Sequence, residues 1–161
     1  QNSSNSKMKN EINSSAFKIE QLNQNLSNSA LLFLENIFYI EQNIPKELIP
    51  LVSDNQKWWC IKNKDEIVGS VAVWKINNEW HWGRLAIHEK LRGFGLGKKL
   101  VTKSLVEIFQ MGIEKVIVDA RDITVEMVLK MGGKITGKKS NFYGHSITPM
   151  EIYKKDFLLK S

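Results

Sequence analysis

Apolar residues recur along the first half of the chain in the patterns of one strand, one helix and three further strands. Residues 17–22, FKIEQL, alternate between apolar and polar positions, which predicts a short strand. The next segment repeats Leu, Phe and Ile at three- and four-residue steps, so we expect a helix that ends before Pro45. Residues 57–63, 66–76 and 79–87 are rich in Trp, Val and Ile and are separated by short polar turns, which predicts an antiparallel meander.

In the second half, the spacing predicts two helices that alternate with strands. Residues 95–111 place an apolar stripe along an amphipathic helix, and residues 122–131 form a second helix that ends at a pair of glycines. Residues 114–120, EKVIVDA, are almost continuously apolar, which is typical of a strand buried on both faces. We expect residues 134–139 and 150–157 to form the last two strands, joined by the loop SNFYGHSITP. This order predicts an α/β fold of the α+β kind, with a mixed sheet of about seven strands flanked by helices.

Composition favours a single domain. The 161 residues, 42% of them hydrophobic, suffice for one core, whereas residues 1–15 are rich in Asn and Ser. We therefore expect a disordered tail or an added segment, followed by one domain over residues 16–161. The one cysteine, Cys60, excludes an intrachain disulfide, and no apolar run approaches the roughly 18 residues of a membrane span. These features predict a cytoplasmic protein without membrane association. The net charge of +6 suits an anionic ligand, although dispersed lysines give the same total.

A glycine-rich segment, LRGFGLGKKL at residues 91–100, follows the third strand of the meander. It fits neither a Walker A loop nor the G-x-G-x-x-G fingerprint of dinucleotide-binding folds. The letters RGFG match the start of an RNA-recognition strand, but Leu96, Gly97 and Lys98 break the aromatic pattern that should follow. A strand, a glycine turn and a helix together form an anion site, because the unpaired amides of the first helical turn and the helix dipole both favour negative charge.

The residues LAIHEKLRGFGLGKKL resemble the acyl-CoA-binding segment of the GNAT superfamily of N-acetyltransferases. The family pattern is Arg or Gln, two variable residues, Gly, one variable residue, and Gly or Ala, which falls here on Arg92, Gly95 and Gly97. The segment VDARDITVEMVLKMGGKITG is similar to the family's next strand, helix and glycine turn, and the order of elements agrees from about Phe17 to Phe157. The resemblance implies a twisted sheet that splits between its fourth and fifth strands, with acyl-CoA in the gap.

The resemblance also implies which backbone groups bind the co-substrate, acetyl-CoA or another acyl-CoA. The pyrophosphate would meet the backbone amides of Arg92, Gly93, Phe94, Gly95, Leu96, Gly97 and Lys98. The pantetheine arm would pair with the backbone of Leu85, Ala86 and Ile87. An amide near Ile87 would stabilise the oxyanion that forms when an amine attacks the thioester. No metal is expected.

The sequence departs from the family at two positions of the site. Family members often place a tyrosine, which protonates the departing thiolate, four residues before a Gly-Phe pair. By that register the corresponding position here is Val128. An asparagine that often contacts pantetheine would fall at Arg121. Tyr143 is the leading substitute for the catalytic acid, and His145 of the same loop is a second candidate.

A base must also take the proton of the attacking amine. On the fourth strand, which the resemblance places beside the thioester, Glu79 and His81 alternate with Trp80 and Trp82 and therefore share a face. His81 is nearer the expected reaction centre. Glu41, at the end of the first helix, is a further candidate.

We therefore predict an N-acetyltransferase that moves an acetyl or other acyl group from acetyl-CoA to a primary amine of an acceptor, a small molecule or a protein. Val128 keeps a second hypothesis open, a non-catalytic module that binds or senses acyl-CoA. A third hypothesis is an RNA-binding domain that uses RGFG, although nucleic acid is not the expected partner. The sequence leaves open the acceptor, the acyl chain and whether the protein forms a homodimer.

Overall fold

A computed structural model describes residues 17–22, 28–46, 56–64 and 66–160. Within these residues, strands β1 to β8 span Phe17–Leu22, Gln56–Asn63, Glu66–Ile76, Glu79–Ile87, Lys115–Arg121, Lys134–Ile135, Ser140–Phe142 and His145–Tyr153. Helices α1 to α4 span Asn28–Glu35, Leu96–Gln110, Asp122–Lys130 and Lys154–Lys160. A π-helical segment, Asn36–Glu41, continues α1, and a short 3₁₀ turn, Glu89–Leu91, precedes α2.

These strands form one mixed sheet in the order β1-β2-β3-β4-β5-β8-β6, with β7 paired to β8. Neighbouring strands are antiparallel except β4 and β5, which run parallel. Among the described residues, β4 and β5 pair at one position, His81 with Ile117. Past that pair the strands continue without pairing, so the sheet splits between its fourth and fifth strands. The expected fold class is confirmed, with eight strands rather than about seven.

Alternation along the strands sorts the apolar side chains into layers on the two faces of the sheet. The layer beneath α2 includes Trp59, Trp82, Leu100, Leu105, Ile108 and Phe109. The layer beneath α1 includes Leu34, Ile37, Phe38, Trp58, Ala72 and Ala86. Burial of one large apolar side chain stabilises a fold by about 1.5–3 kcal/mol, so these layers fix both helices against the sheet.

Strand β4 carries a bulge in its second half. Arg84 and Leu85 together stand opposite one residue of β3, Val71, and Arg84 adopts a left-handed backbone conformation with φ of +59°. The extra residue reverses the alternation of side chains. Trp82 therefore belongs to the layer beneath α2, whereas Ala86 belongs to the layer beneath α1.

Most of the predicted elements are confirmed. Strand β1 has the predicted bounds, the meander is present as β2 to β4, and each end of α2 and α3 lies within one residue of its prediction. Gly112 follows α2 with φ of +92°, as expected for a residue that ends a helix. The first helix ends before Pro45 as predicted, with its last part in the π-helical segment.

The prediction for the last part of the chain is wrong in two respects. Residues 140–149, expected as a loop, contain a hairpin in which β7 pairs with β8 around Tyr143 and Gly144. Both turn residues have positive φ, and such turns match the twist of a two-stranded ribbon. The chain beyond Tyr153 forms α4, so the last strand ends earlier than expected.

Strand β5 also differs from its prediction, because it is not buried on both faces. Val116, Val118 and Ala120 are buried beneath α2 and α3, whereas Asp119 is exposed. Asp119, on the second face of β5, borders the cleft instead of a packed layer. The expected tail, residues 1–15, lies outside the described residues. No helix in the described part of the chain is long and apolar enough to cross a membrane.

Candidate active site

The glycine-rich loop makes a sharp entry into α2. Gly93 and Gly95 have φ of +88° and +81°, and Gly95 is the residue before the first helical residue, Leu96. A Cβ atom on either glycine would meet no other atom within 4 Å, so the backbone borders open space. Leu96 fixes the loop, since its side chain is buried in the core, while Lys98 is exposed in the first turn. The unpaired amides at the start of α2 therefore border open space, which is an arrangement that suits an anion.

Arg92 ties this loop to two neighbouring elements. Its Nε donates to the carbonyl oxygen of Ile87 at 2.8 Å, which closes the turn between β4 and α2. Its Nη2 donates to Oε1 of Glu41 at 3.0 Å, which joins the loop to the end of the π-helical segment. The resemblance assigned the backbone of Ile87 to the pantetheine arm, and the Arg92 side chain already engages that carbonyl.

A cleft of about 600 Å³ lies where β4 and β5 separate, which is a usual size for a small-molecule site. Its apolar walls are formed by Phe38, Ile44, Trp74, Ile76, Phe142 and Ile147. Its titratable and charged side chains are Lys75, His81, Arg84, Asp119, Arg121 and His145. The described residues contain no cluster of His, Cys, Asp and Glu suited to a metal ion.

Trp74 lies on the wall of the cleft that β3 and β4 provide. His81 pairs directly with Trp74 across the two strands and stacks on its ring, with ring centroids 5.9 Å apart. The guanidinium carbon of Arg84 is 4.0 Å from the centroid of the same ring. Gly83 lies under the indole, since a Cβ there would come 3.3 Å from the ring. The absence of a side chain at Gly83 therefore lets the indole lie close to β4.

The Arg84 guanidinium is a cation held largely out of water. Its Nη1 donates to Oε1 of Gln56 at 3.0 Å. Burial lowers the pKa of Arg84 to about 10, while the nearby Tyr39 opposes this shift. Because a pKa of about 10 is far above neutral pH, the guanidinium remains protonated there.

His145 bridges the two sides of the cleft entrance. Its Nδ1 accepts from Nη2 of Arg121 at 2.5 Å, and its Nε2 lies 3.2 Å from the carbonyl oxygen of Gln42. A guanidinium can only donate and a carbonyl can only accept, so the tautomer that satisfies both contacts has its proton on Nε2. Burial lowers the pKa of Arg121, the positive charge of Arg92 lowers it further, and Glu41 acts in the opposite direction. The bridge connects β5 and β8 to the segment that follows α1.

The three candidate catalytic residues lie in different places. His81 lines the cleft. Glu79 lies at the start of β4, where its carboxylate is 4.0 Å from Nζ of Lys115, and it is not among the cleft-lining residues. Tyr143 lies in the β7–β8 turn, is 54% exposed and packs edge-on against Phe142. Phe142 lines the cleft, whereas Tyr143 does not.

The position that the resemblance assigns to a tyrosine is closed off from the cleft. Val128 is fully buried on α3, and a Cβ on Gly133 would lie only 2.4 Å from its Cγ1. A larger side chain at this position has no room on that side. Thr124, one turn earlier on α3, lines the cleft instead.

Three charged residues of the cleft were not identified from the sequence: Lys75, Arg84 and Asp119. Each interrupts an otherwise apolar strand, in VAVWKI, WGRLAI and VIVDA, and that interruption was the available signal. The RGFG segment is a turn rather than a strand, and Phe94 is half-buried against the core beneath α2. It therefore does not form the stacking strand that the RNA-binding hypothesis needs.

Comparisons with known proteins agree with this architecture. The Acetyltransferase (GNAT) family profile matches residues 24–132, and the chain belongs to this family. The structure is similar to that of Escherichia coli ElaA, with 21% identity, a TM-score of 0.72, and coverage of 84% of this chain and 98% of that chain. It is also similar to an acyl-CoA N-acyltransferase from Pseudomonas aeruginosa, with 15% identity, a TM-score of 0.72, and coverage of 84% and 98%.

A third similar structure is FeeM, an N-acyl amino acid synthase from uncultured soil microbes, with 8% identity and a TM-score of 0.73 over 90% of this chain and 94% of that chain. At these low sequence identities, the structural similarities show only that the fold is shared. No curated protein sequence matches the chain. Family and fold together indicate an acyltransferase of the GNAT type, a family that typically uses acyl-CoA as co-substrate.

Proposed function

We propose that the protein transfers an acyl group, acetyl in the simplest case, from acyl-CoA to a primary amine. One observation carries this proposal: the glycine-rich entry to α2 directly follows the part of β4 that is unpaired with β5. An anion site and a split in the sheet thus occur together, as binding of a long substrate with a phosphate end requires. Membership of the GNAT family supports the same conclusion.

The binding role falls to the backbone between Leu85 and Lys98. The amides from Arg92 to Lys98 would hold the pyrophosphate, because Gly93 and Gly95 leave space beside the chain and the helix dipole favours negative charge. Leu85 belongs to the bulge, and Ala86 and Ile87 follow it; their backbone lies on the edge of β4 that faces away from β3. The pantetheine arm would lie along that edge as an added strand does.

The reaction forms a C–N bond and breaks the C–S bond of the thioester. An ammonium acceptor loses two protons in becoming an amide: one before attack, which a base takes, and one afterwards, which neutralises the departing thiolate. A backbone amide near the β4 bulge would stabilise the oxyanion of the intermediate. The net products are an amide, the CoA thiol and one proton.

We assign the base to His81, because it is an imidazole inside the cleft on the strand beside the expected thioester. Glu79 is a weaker candidate, since it lies near Lys115 outside the cleft lining. His145 has both ring nitrogens engaged, so it suits a role in positioning. Tyr143 would need its turn to bend towards the substrate before its hydroxyl could act as an acid.

The test is acyl transfer itself, followed by thiol release and by the mass of the N-acyl product, with acetyl-CoA and a panel of primary amines. His81→Gln should lower kcat and change its dependence on pH, because the variant lacks the proposed base. His88→Asn is the matched control, because His88 lies outside the cleft and Asn can still accept from the amide of Lys90. An unchanged pH profile in His81→Gln would exclude His81 as the base.

A second function is supported by one observation, the complete burial of Val128 where the family often has an acid. A protein without that acid could bind acyl-CoA as a sensing module without transferring the acyl group. Tight binding of acetyl-CoA without product from any amine would support this alternative.

A further inference from the structure

Arg84 and Asp119 place opposite charges at nearly the same level on the two walls of the cleft, where Lys75 and Arg121 add further positive charge. In a parallel pair, residues the same number of steps beyond a paired position stand level and point to the same face. His81 pairs with Ile117, so Gly83 is level with Asp119, and Arg84 is the next residue along β4. Arg84 and Asp119 both line the cleft. A ligand between the split strands therefore meets a cation on the β4 wall and a carboxylate on the β5 wall.

The backbone conformation and the burial of Arg84 both cost free energy. A left-handed backbone is unfavourable for a residue with a side chain, and largely buried charge is unfavourable as well. The bulge places Arg84 at this site, the ring of Trp74 supports its guanidinium, and Gln56 accepts from Nη1. Costly features that a fold keeps in a cleft point to a role in ligand binding.

Apolar side chains form much of the remaining cleft wall, although Lys75, His81, Arg121 and His145 also line it. Trp74, Phe38, Ile44, Phe142 and Ile147 come from four different elements or their flanks and converge on the same space. A large aliphatic or aromatic group is therefore the best match for the wall between the two charges.

We propose that the acceptor is an α-amino acid with a large apolar side chain. Its carboxylate pairs with Arg84, its amino group faces Asp119, and its side chain packs against Trp74 and Phe38. This inference rests on the proposed acyl transfer and names the substrate class for it. The amino nitrogen forms the amide bond to the acyl carbon and the thioester C–S bond breaks, which yields an N-acyl amino acid, the CoA thiol and one proton.

The decisive experiment compares each amino acid with the amine that lacks only its carboxylate. L-phenylalanine is tested against phenethylamine, L-leucine against 3-methylbutylamine and L-tryptophan against tryptamine, at saturating acetyl-CoA. A charge-assisted pair with Arg84 should raise kcat/KM of at least one amino acid about 10- to 100-fold above that of its amine. Equal or faster turnover of the amines would overturn the inference and leave the proposed function intact. No product from any amine would defeat the proposed function itself.

Substitution of Arg84 separates recognition from structural support. Arg84→Gln should raise KM for the amino acid more than KM for the matched amine, and should thereby abolish the preference. Arg84→Lys should restore part of the preference, because it restores the charge without the planar donor pair. Lys103→Gln is the control for the lost positive charge, since Lys103 pairs with Glu107 on α2, away from the cleft. An equal loss for amino acid and amine in Arg84→Gln would mean that Arg84 only supports the fold. The wild-type comparison decides the matter even if Arg84→Gln fails to fold.

Discussion

Replacement of Ser104 by Ala should loosen the contact between α2 and the sheet. Ser104 and Trp82 are both buried, and Nε1 of Trp82 donates to Oγ of Ser104 at 3.1 Å. The same Oγ donates to the carbonyl oxygen of Val101 at 2.9 Å. This bond joins β4 to the helix that begins at the glycine-rich loop, so it supports both sides of the candidate CoA site.

The size of the effect follows from the buried indole N–H. In Ser104→Ala this donor loses its acceptor in a site that excludes water, which costs about 1–3 kcal/mol. For a domain of this size, each kcal/mol lowers Tm by about 2–4 °C, so we expect a fall of about 2–12 °C. Thr102→Ala removes a hydroxyl from the exposed side of the same helix and should change stability by less than about 0.5 kcal/mol.

Urea denaturation of Ser104→Ala, Trp82→Phe and the double variant measures the coupling between the two side chains. Trp82→Phe removes the donor, so loss of the Ser104 hydroxyl should then cost less than it does beside the tryptophan. We expect a coupling of about 1 kcal/mol, within the range for residues in contact. Additive effects, or a Ser104→Ala variant as stable as Thr102→Ala, would refute the argument.

Three further predictions concern other parts of the structure. Burial raises the pKa of the Cys60 thiol from 9.0 to about 12. The buried, protonated thiol therefore contributes its full stabilisation below pH 9, and this stabilisation is lost as pH rises towards about 12. In Cys60→Ala, the stability measured by alkaline denaturation should not show this loss. Val128→Tyr should destabilise by about 1–3 kcal/mol without raising kcat, since Val128 packs against Gly133, and a faster enzyme would contradict this. Glu41→Gln should tighten CoA binding, because it removes negative charge beside Arg92. Loss of the exposed Arg92–Glu41 ion pair should change the free energy of unfolding by less than about 1 kcal/mol. Weaker binding of CoA in a calorimetric titration would count against the proposed phosphate site.

Local patterns in the sequence account for the elements that were predicted well. Helix α2 and its glycine loop need only an apolar stripe and residues that tolerate positive φ, and both are visible within residues 91–111. The hairpin around Tyr143 and Gly144 was missed because its strands carry Ser, Thr, His and Asn, which mask the alternation.

The charged residues of the cleft depend on contacts between distant segments. Arg84 enters the cleft only because a bulge forms against Val71 and because Trp74 lies across Gly83. The sequence WGRLAI shows the charge but not the bulge, which arises from pairing with β3. Asp119 is likewise exposed because it borders the cleft, whereas EKVIVDA alone resembles a strand buried on both faces.

Calorimetric titration with acetyl-CoA and with free CoA tests most directly whether the loop at the start of α2 is the binding site. Gly95→Trp should block the loop, and Gly112→Trp is its matched control, because both glycines have positive φ with open space beside them at opposite ends of α2. We expect both ligands to bind the wild type and Gly112→Trp with similar affinity, and Gly95→Trp to bind at least about tenfold more weakly, a loss of about 1.4 kcal/mol. Equal binding by the two variants, or no binding of either ligand to the wild type, would contradict the account.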